Sequence, residues 1–350
     1  MVISRPRGGR HYPRSWPELL AWFPDDATCR DYLEWLRWPD GFVCPHCASE
    51  QGWKTSRGGW SCGGCKRRVS VTAGTIFDKT RTPLTTWFAA GWYMTNQKTA
   101  GVSAKGLRRV VEVGSYQTAW TMLHKYRSAM VRPGRSKLSG DVEVDETFVG
   151  GARSGPPGRG AAGKTVVVAA VEVFDPKGYG RARLQVVPDA SKRTLTKFVT
   201  DHIEPGSVVI TDGWPGYNDL PVLGYTRKKH VLSTSGSPAH VSMPAVHRVA
   251  SLFKRSLLNA YQQYPKLHLQ AYCDEWVFRF NRRTSRSRGM LFFRLMELAV
   301  LADPLPCNAL TKSSRPRSVA PMPPTGGGSP RQPDVNTAPR PWRQTSATGP

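Results

Sequence analysis

A chain of 350 residues with 39% hydrophobic content can bury at least one sizeable core and has room for two or three compact units, which argues against a single domain. Fifty Lys and Arg oppose 25 Asp and Glu, a formal charge of +25 spread along the chain; with twelve Trp and eleven Tyr this points to a folded, nucleic-acid-binding protein rather than a polycationic arm. No stretch approaches the roughly 18 uninterrupted apolar residues of a membrane span, and MVISRPRGGR lacks the apolar core of a signal peptide, so a cytoplasmic, nucleoid-associated protein with no membrane partner is expected.

In chain order, residues 1–40 read as a basic, Gly/Pro-rich arm followed by one or two short helices between Trp16 and Trp38. Residues 41–77 are Gly- and Cys-rich with short Val/Thr/Ile runs, the profile of a β-unit too small to fold without a metal staple. Residues 83–131 turn helical, with breaks at Gly101 and at Gly114-Ser115, and RPGRSKLSG over 132–140 has linker composition. Over 138–303 the period changes: DVEVDETFVGG, KTVVVAAVEVF and RARLQVV predict a hairpin meander. A helix near Lys192–His202 follows, then a strand SVVITD, a short strand near Lys228–Leu232, and helices over His247–Tyr261 and Leu267–Phe280. That order predicts a mixed sheet covered by helices. Residues 311–350 are Pro/Gly/Ser/Arg-rich without hydrophobic period and are expected to be disordered.

Two CxxC pairs, Cys44/Cys47 and Cys62/Cys65, are spaced as the knuckles of a zinc ribbon. Four thiolates close a tetrahedron around Zn²⁺ and leave no open position, so this metal is structural; Gly63 and Gly64 would let the backbone wrap the sulfurs. Cys29, Cys273 and Cys307 read as reduced thiols. Arg57, Lys66, Arg67 and Arg68 around the ribbon are candidate phosphate contacts. The helical stretch has the rhythm of a helix-turn-helix whose second helix begins near Tyr116, making Tyr116, Gln117 and Thr118 candidate DNA readers; a plain helical bundle would look similar.

The chemistry centres on two carboxylates. Alternation in DVEVDETFVGG sets Val142 and Val144 on one face and Glu143 and Asp145 on the other, with Glu146 opposite to Asp145. Asp212 closes the apolar strand VVITD ahead of a Gly turn, where an open sheet delivers functional side chains. Two carboxylates brought together without a basic partner repel and call for a bound cation. A third candidate ligand is His247, thirty-five positions after Asp212; Lys254, seven further on, shares its helical face and could reach a DNA phosphate.

EVDETFVGG, TDGWPGY, VHRVASLFKR and HLQAYCDEWVFRFNRR, with the CPHC…CGGC ribbon, SVTAGTIFDKTRTPLTTWF and the segment SAKGLRRVVEVGSYQTAWTMLHKYR, resemble the IS1595 family of insertion-sequence transposases, whose catalytic domain is ISXO2-like. The resemblance runs over about residues 15–305 and implies an α/β RNase H-like catalytic domain behind the ribbon and helical module. It also implies DNA cutting and joining at the terminal inverted repeats, in a homo-oligomer acting on target DNA. In most transposases of this fold the third metal-binding residue is Glu followed seven positions later by Lys or Arg; here His247 stands in that place ahead of Lys254, as a DDE-type site with His as third residue. A neutral imidazole adds no negative charge and should weaken Mg²⁺ relative to Mn²⁺. On this reading Asp145 bridges two catalytic cations, Asp212 and His247 hold one each, Lys254 positions a phosphate, and Arg279, Asn281, Arg282 and Arg283 offer backbone contacts. Two alternatives stay open: a catalytically inactive DNA-binding remnant, and a non-specific RNase H-like nuclease.

Overall fold

The computed structural model describes residues 6–56, 58–97, 101–150, 164–174, 178–230, 243–261 and 265–311. The first five residues of the basic arm, Arg57 and the tail from 312 onward, for which disorder was expected, lie outside the described residues. The helices are α1 (Trp16–Trp22), α2 (Asp26–Arg37), α3 (Leu84–Asn96), α4 (Ala104–Val110), α5 (Tyr116–Ala129), α6 (Lys192–His202), α7 (Pro244–Tyr261), α8 (Leu269–Phe280), α9 (Arg288–Ala299) and α10 (Cys307–Thr311). The strands are β1 (Gly52–Lys54), β2 (Trp60–Cys62), β3 (Arg68–Val69), β4 (Asp141–Val149), β5 (Thr165–Val173), β6 (Tyr179–Val187), β7 (Val208–Asp212) and β8 (Thr226–His230). No described helix is long and apolar enough to cross a membrane. The described residues divide into two compact units: those within 6–92, 113–126 and 287–311 form the first, and those within 93–112 and 127–286 the second.

In the first unit, α1 and α2 start where side chains take up orphan amides: Ser15 Oγ accepts the Glu18 N–H at 3.3 Å and Asp25 Oδ1 accepts that of Thr28 at 2.8 Å. Helix α2 buries Cys29, Tyr32, Leu33 and Leu36, the i, i+3, i+4, i+7 stripe of an amphipathic helix. Tyr32, Phe23 and Phe88 meet in T-shaped contacts with centroids 4.6–5.9 Å apart, and Phe292 on α9 joins Phe88 at 5.8 Å. Gly289 is required at the start of α9, because a Cβ there would fall 1.9 Å from the Pro13 carbonyl oxygen.

The ribbon sheet β1-β2-β3 is antiparallel and its core is only Phe42, Cys44, Cys62 and Val69, closed by Trp38 and by Trp60 stacked on Phe42 at 4.7 Å. Cross-linking by a metal is therefore essential to it. Cys44, Cys47, Cys62 and Cys65 bring their sulfurs within 4.8 Å of one another, with Cys44–Cys65 at 3.7 Å and Cys47–Cys62 at 3.5 Å. A Zn–S bond of about 2.3 Å gives tetrahedral edges of about 3.8 Å, so the cluster fits a structural zinc. Each knuckle closes through the residue after its second cysteine: Ala48 and Lys66 take φ values of 57° and 59° and return their amides to the carbonyls of Cys44 and Cys62. The glycines serve differently from the wrapping role expected of them. Gly63 and Gly64 let Gln51 and Ser49 approach, where a Cβ would come within 3.0 Å of each. The Cys65 amide, pointing at Cys62 Sγ, holds that thiol's pKa down to about 6.

The second unit is a five-stranded mixed sheet in the order β6-β5-β4-β7-β8, with β4, β5 and β6 antiparallel and β7 and β8 running parallel to β4, an RNase H-like topology. Alternation sorts its residues to two cores. Val167, Ala169, Val171 and Val149 pack against Val246, Val249 and Phe253 of α7 and Cys273, Trp276 and Val277 of α8. Val142, Val144, Val168 and Ala170 pack against Leu195, Phe198 and Val199 of α6. As expected, β4 to β6 form a meander; α7 begins three residues earlier than the sequence suggested, with Pro244 as its first residue, where a missing N–H costs nothing.

A buried ion pair ties the far end of α7 into this unit. Arg127 Nε lies 2.8 Å from Glu275 Oε2, both side chains at most 2% exposed, and Arg127 also donates to the Val102 carbonyl and to Tyr261 Oη at 3.0 Å. Tyr261 in turn donates to Glu275 at 3.0 Å and stacks on Tyr272 at 4.2 Å beneath the guanidinium. Burial alone would raise the Glu275 carboxyl, but Arg127 and Arg279 hold it below its usual value.

Glu275→Ala leaves a buried guanidinium without its counter-ion and should cost about 3–5 kcal/mol in urea unfolding, whereas Lys197→Ala, which removes the exposed Lys197–Asp201 pair, should leave the midpoint nearly unchanged. Purified chain should release close to one zinc on titration with a thiol-reactive mercurial, and Cys47→Ser should lower that content and abolish the near-ultraviolet signal of the Phe42–Trp60 stack.

Candidate active site

Strand β4 occupies the middle of the sheet and presents its carboxylates as alternation requires. Asp145 sits on the α7 face with Glu143, while Glu146 turns to the opposite face and accepts the buried Tyr217 hydroxyl at 2.8 Å. Burial first, then the Glu146 carboxylate, pushes the Tyr217 phenol well above its usual pKa, so it stays a donor. Asp141, Val142 and Glu143 pair in parallel with Val208, Val209 and Ile210; the same register carried two residues on sets Asp145 level with Asp212. The β4–β7 ladder itself ends at Glu143 and Ile210, and both carboxylates lie two residues beyond it, Asp212 at the carboxyl end of β7.

The turn after Asp212 is held from three directions. Asp212 Oδ1 accepts the Trp214 N–H at 3.0 Å, and Trp214 Nε1 donates to the Ala190 carbonyl at 3.2 Å. Arg227 on β8 donates to Thr211 Oγ1 at 3.0 Å, to the carbonyls of Asp212 and Trp214 at 3.1 and 3.0 Å, and to Asn218 Oδ1 at 2.6 Å. One guanidinium therefore fixes the backbone from which Asp212 projects.

Helix α7 delivers the third residue. Glu143, 3% exposed, accepts the Val246 amide at 2.8 Å and also that of Ala245, so a strand carboxylate takes up the orphan donors of the helix N-terminus and meets its positive dipole end. Burial raises the pKa of this carboxyl and the two amides oppose the rise. The next residue, His247, then has its Nδ1 3.8 Å from Asp145 Oδ2. Asp145, His247 and, two turns along, Lys254 line one cavity of about 360 Å³ together with Glu146, Phe148, Lys164 and Ala250. Burial lowers the Lys254 pKa, Lys164 lowers it further, and Asp145 acts to raise it.

The geometry brings Asp145, His247 and Lys254 to one cavity, with Asp212 level with Asp145 on the adjacent strand. Among the described residues only the four cysteines already lie as close together as metal ligands; Asp145, Asp212 and His247 are not drawn in to that degree. Two carboxylates and an imidazole remain a donor set suited to a divalent cation of the Mg²⁺ or Mn²⁺ kind. Of the other predicted contacts, Lys66, Arg67 and Arg68 are exposed on the ribbon, Tyr116 and Gln117 are exposed at the start of α5, and Thr118 is half-buried with its amide on Ser115 Oγ at 3.0 Å. Arg282 lies over the Phe278 ring and donates to the Phe278 carbonyl. Arg283 lies over Phe280 and donates to the carbonyls of Tyr179, Gly180 and Phe280. Asn281 pairs through both amide atoms with Ala182 on the edge strand β6, at 2.7 and 3.1 Å.

Sequence reasoning missed Glu143 and Arg227 as residues that place the site. Glu143 carried a usable signal, an acid at an inward position of a strand with no basic neighbour, whereas Arg227 in TRKKH reads as one more surface cation.

Two family models match the chain: an ISXO2-like transposase domain over residues 137–281 and a transposase zinc-ribbon domain over residues 24–68. An uncharacterized protein in transposable element ISH50 of Halobacterium salinarum is 25% identical over 256 residues, covering 67% of this chain and 84% of that protein. An uncharacterized transposase-like protein of Haemophilus influenzae is 26% identical over 112 residues, 32% of this chain and 90% of its own length. The two models together match more than half of the residues, ribbon and sheet are where they predict, and the chain belongs to the IS1595 family of transposases.

Proposed function

We propose that the chain cuts and joins DNA at insertion-sequence ends by divalent-metal-dependent phosphoryl transfer at Asp145, Asp212 and His247. What supports this reading is the parallel β4–β7 register, which carried two residues past Glu143 and Ile210 aligns Asp145 with Asp212, and the His247 imidazole 3.8 Å from Asp145. Asp145, beside His247 and on the strand next to that of Asp212, would be the residue shared between two ions, with Asp212 and His247 each helping to hold one. When bound, such a pair supplies charge stabilisation for an in-line displacement at phosphorus by water or a DNA 3′-hydroxyl. Lys254, half-buried in the same cavity, would hold a backbone phosphate of the bound strand. Glu143 and Arg227 act through the residues they hold and make no contact with the reacting atoms. Lys66, Arg67, Arg68, Tyr116, Gln117 and Thr118 would hold the ends, Arg282 and Arg283 would add positive charge, and the ends would be paired by assembly of further copies.

Donor-end duplex, target DNA and either Mg²⁺ or Mn²⁺ separate the readings: joined product supports the transposase, random nicking a non-specific nuclease, and binding alone an inactive remnant. Asp145→Asn and Asp212→Asn should each lower joined product by at least about 100-fold while leaving end binding in place. His247→Glu should retain joining and shift the preferred cation from Mn²⁺ toward Mg²⁺; equal activity of His247→Glu and His247→Ala would remove His247 from the site. For Glu143, Gln keeps one oxygen facing the α7 amides and should retain much of the joining rate, whereas Ala should lower it about 10-fold or more without changing the Mn²⁺ preference.

A further inference from the structure

The cavity that holds Asp145 and His247 has a second, cationic end, where Lys254 is joined by Lys164. Lys254 lies seven residues along α7 from His247, about 10 Å of helix axis. Lys164 immediately precedes β5, whose first residue Thr165 pairs with Val149, four residues along β4 from Asp145 and thus about 13 Å of strand. Helix and hairpin therefore run together from the carboxylates to the two lysines, with Phe148 and Ala250 in the wall between them. Lys164 and Lys254 line the same cavity, and after burial Lys164 is the next influence lowering the Lys254 pKa. Among the described residues neither lysine has a carboxylate within 4.0 Å. The acids of the cavity are engaged elsewhere, Glu146 with the Tyr217 hydroxyl and Asp145 with the Glu146 amide at 2.8 Å and with His247. Two ammonium groups lining one cleft, with no described carboxylate in direct ion-pair contact with either, are arranged for an anion.

We propose that Lys164 and Lys254 together clamp one backbone phosphate of the DNA strand, next to the phosphate that reacts at Asp145. Lys164 then sets where the strand lies in the cavity, and its partner on α7 is placed by the same helix that carries His247. Which phosphate is held relative to the cut rests on the function proposed above; that one phosphate is shared by two lysines does not.

The test is binding of the full chain, zinc-loaded and without Mg²⁺ or Mn²⁺, to a duplex taken from the end of its own element, so that it reads independently of any cutting. Lys164→Gln and Lys254→Gln should each weaken binding and lower the slope of log K against log salt by about 1. The double variant should lower it by about 1 as well, because one phosphate is lost. A series of duplexes with a single neutral methylphosphonate should contain one position that weakens wild-type binding but neither variant's, the same position for both, and Lys164→Arg should restore its effect. Thermal melting reports whether the variants are folded. A wild-type slope for Lys164→Gln, losses that add in the double variant, or two different sensitive positions would each overturn the clamp. Absence of joined product with a clamp mapped in this way would overturn the proposed reaction and leave the clamp standing.

Discussion

One helix carries both His247 and Lys254, and its position depends on a buried carboxylate at each end. Glu143 reaches from the central strand to the first amides of α7, and Tyr261, its last residue, shares a hydrogen-bond network with Glu275 and Arg127. A helix seated only on an apolar face can slide or roll among similar packings; a helix whose N-terminal amides are bonded to a strand carboxylate has one rotational setting. That setting is what places an imidazole against Asp145 rather than half a turn away. The cost is two acids taken from water, met at one end by amides and the helix dipole and at the other by guanidinium charge.

Asp212 is placed by a different device with the same outcome. It ends a strand, where backbone freedom returns, and Arg227 removes that freedom by bonding three successive parts of the turn. The zinc ribbon answers the same problem with the opposite chemistry. Its apolar core of four residues cannot hold three short strands, and the thiolate cluster supplies the constraint instead.

What was legible in the sequence was what is local. The two knuckles are each four residues long and the fit between their four sulfurs follows once two hairpin-like turns face each other. The meander, α6 and β7 are readable from period and length; α6 spans Lys192–His202 as expected, and β7 starts one residue later than SVVITD suggests and ends at Asp212. Glu143 and Val246 stand far apart in the chain, and no local pattern marks their bond. Arg282 and Arg283 read from the sequence as candidate DNA-backbone contacts, and their engagement with neighbouring rings and carbonyls is not visible there.

The sequence by itself determined the ribbon ligands, the order of strands and helices in the sheet unit, the strand faces of Asp145 and Glu146, and the helical face shared by His247 and Lys254, because each of these follows from spacing within one element. Only the tertiary structure decided that β7 pairs in parallel with β4, that Glu143 seats α7, and that Lys164 and Lys254 line one cavity. It also decided that α9, which begins just after Ser287, belongs to the first unit. Register between non-adjacent strands and the packing of a helix across a sheet are set by side chains that meet only after the chain has folded, and no spacing within a single element encodes them.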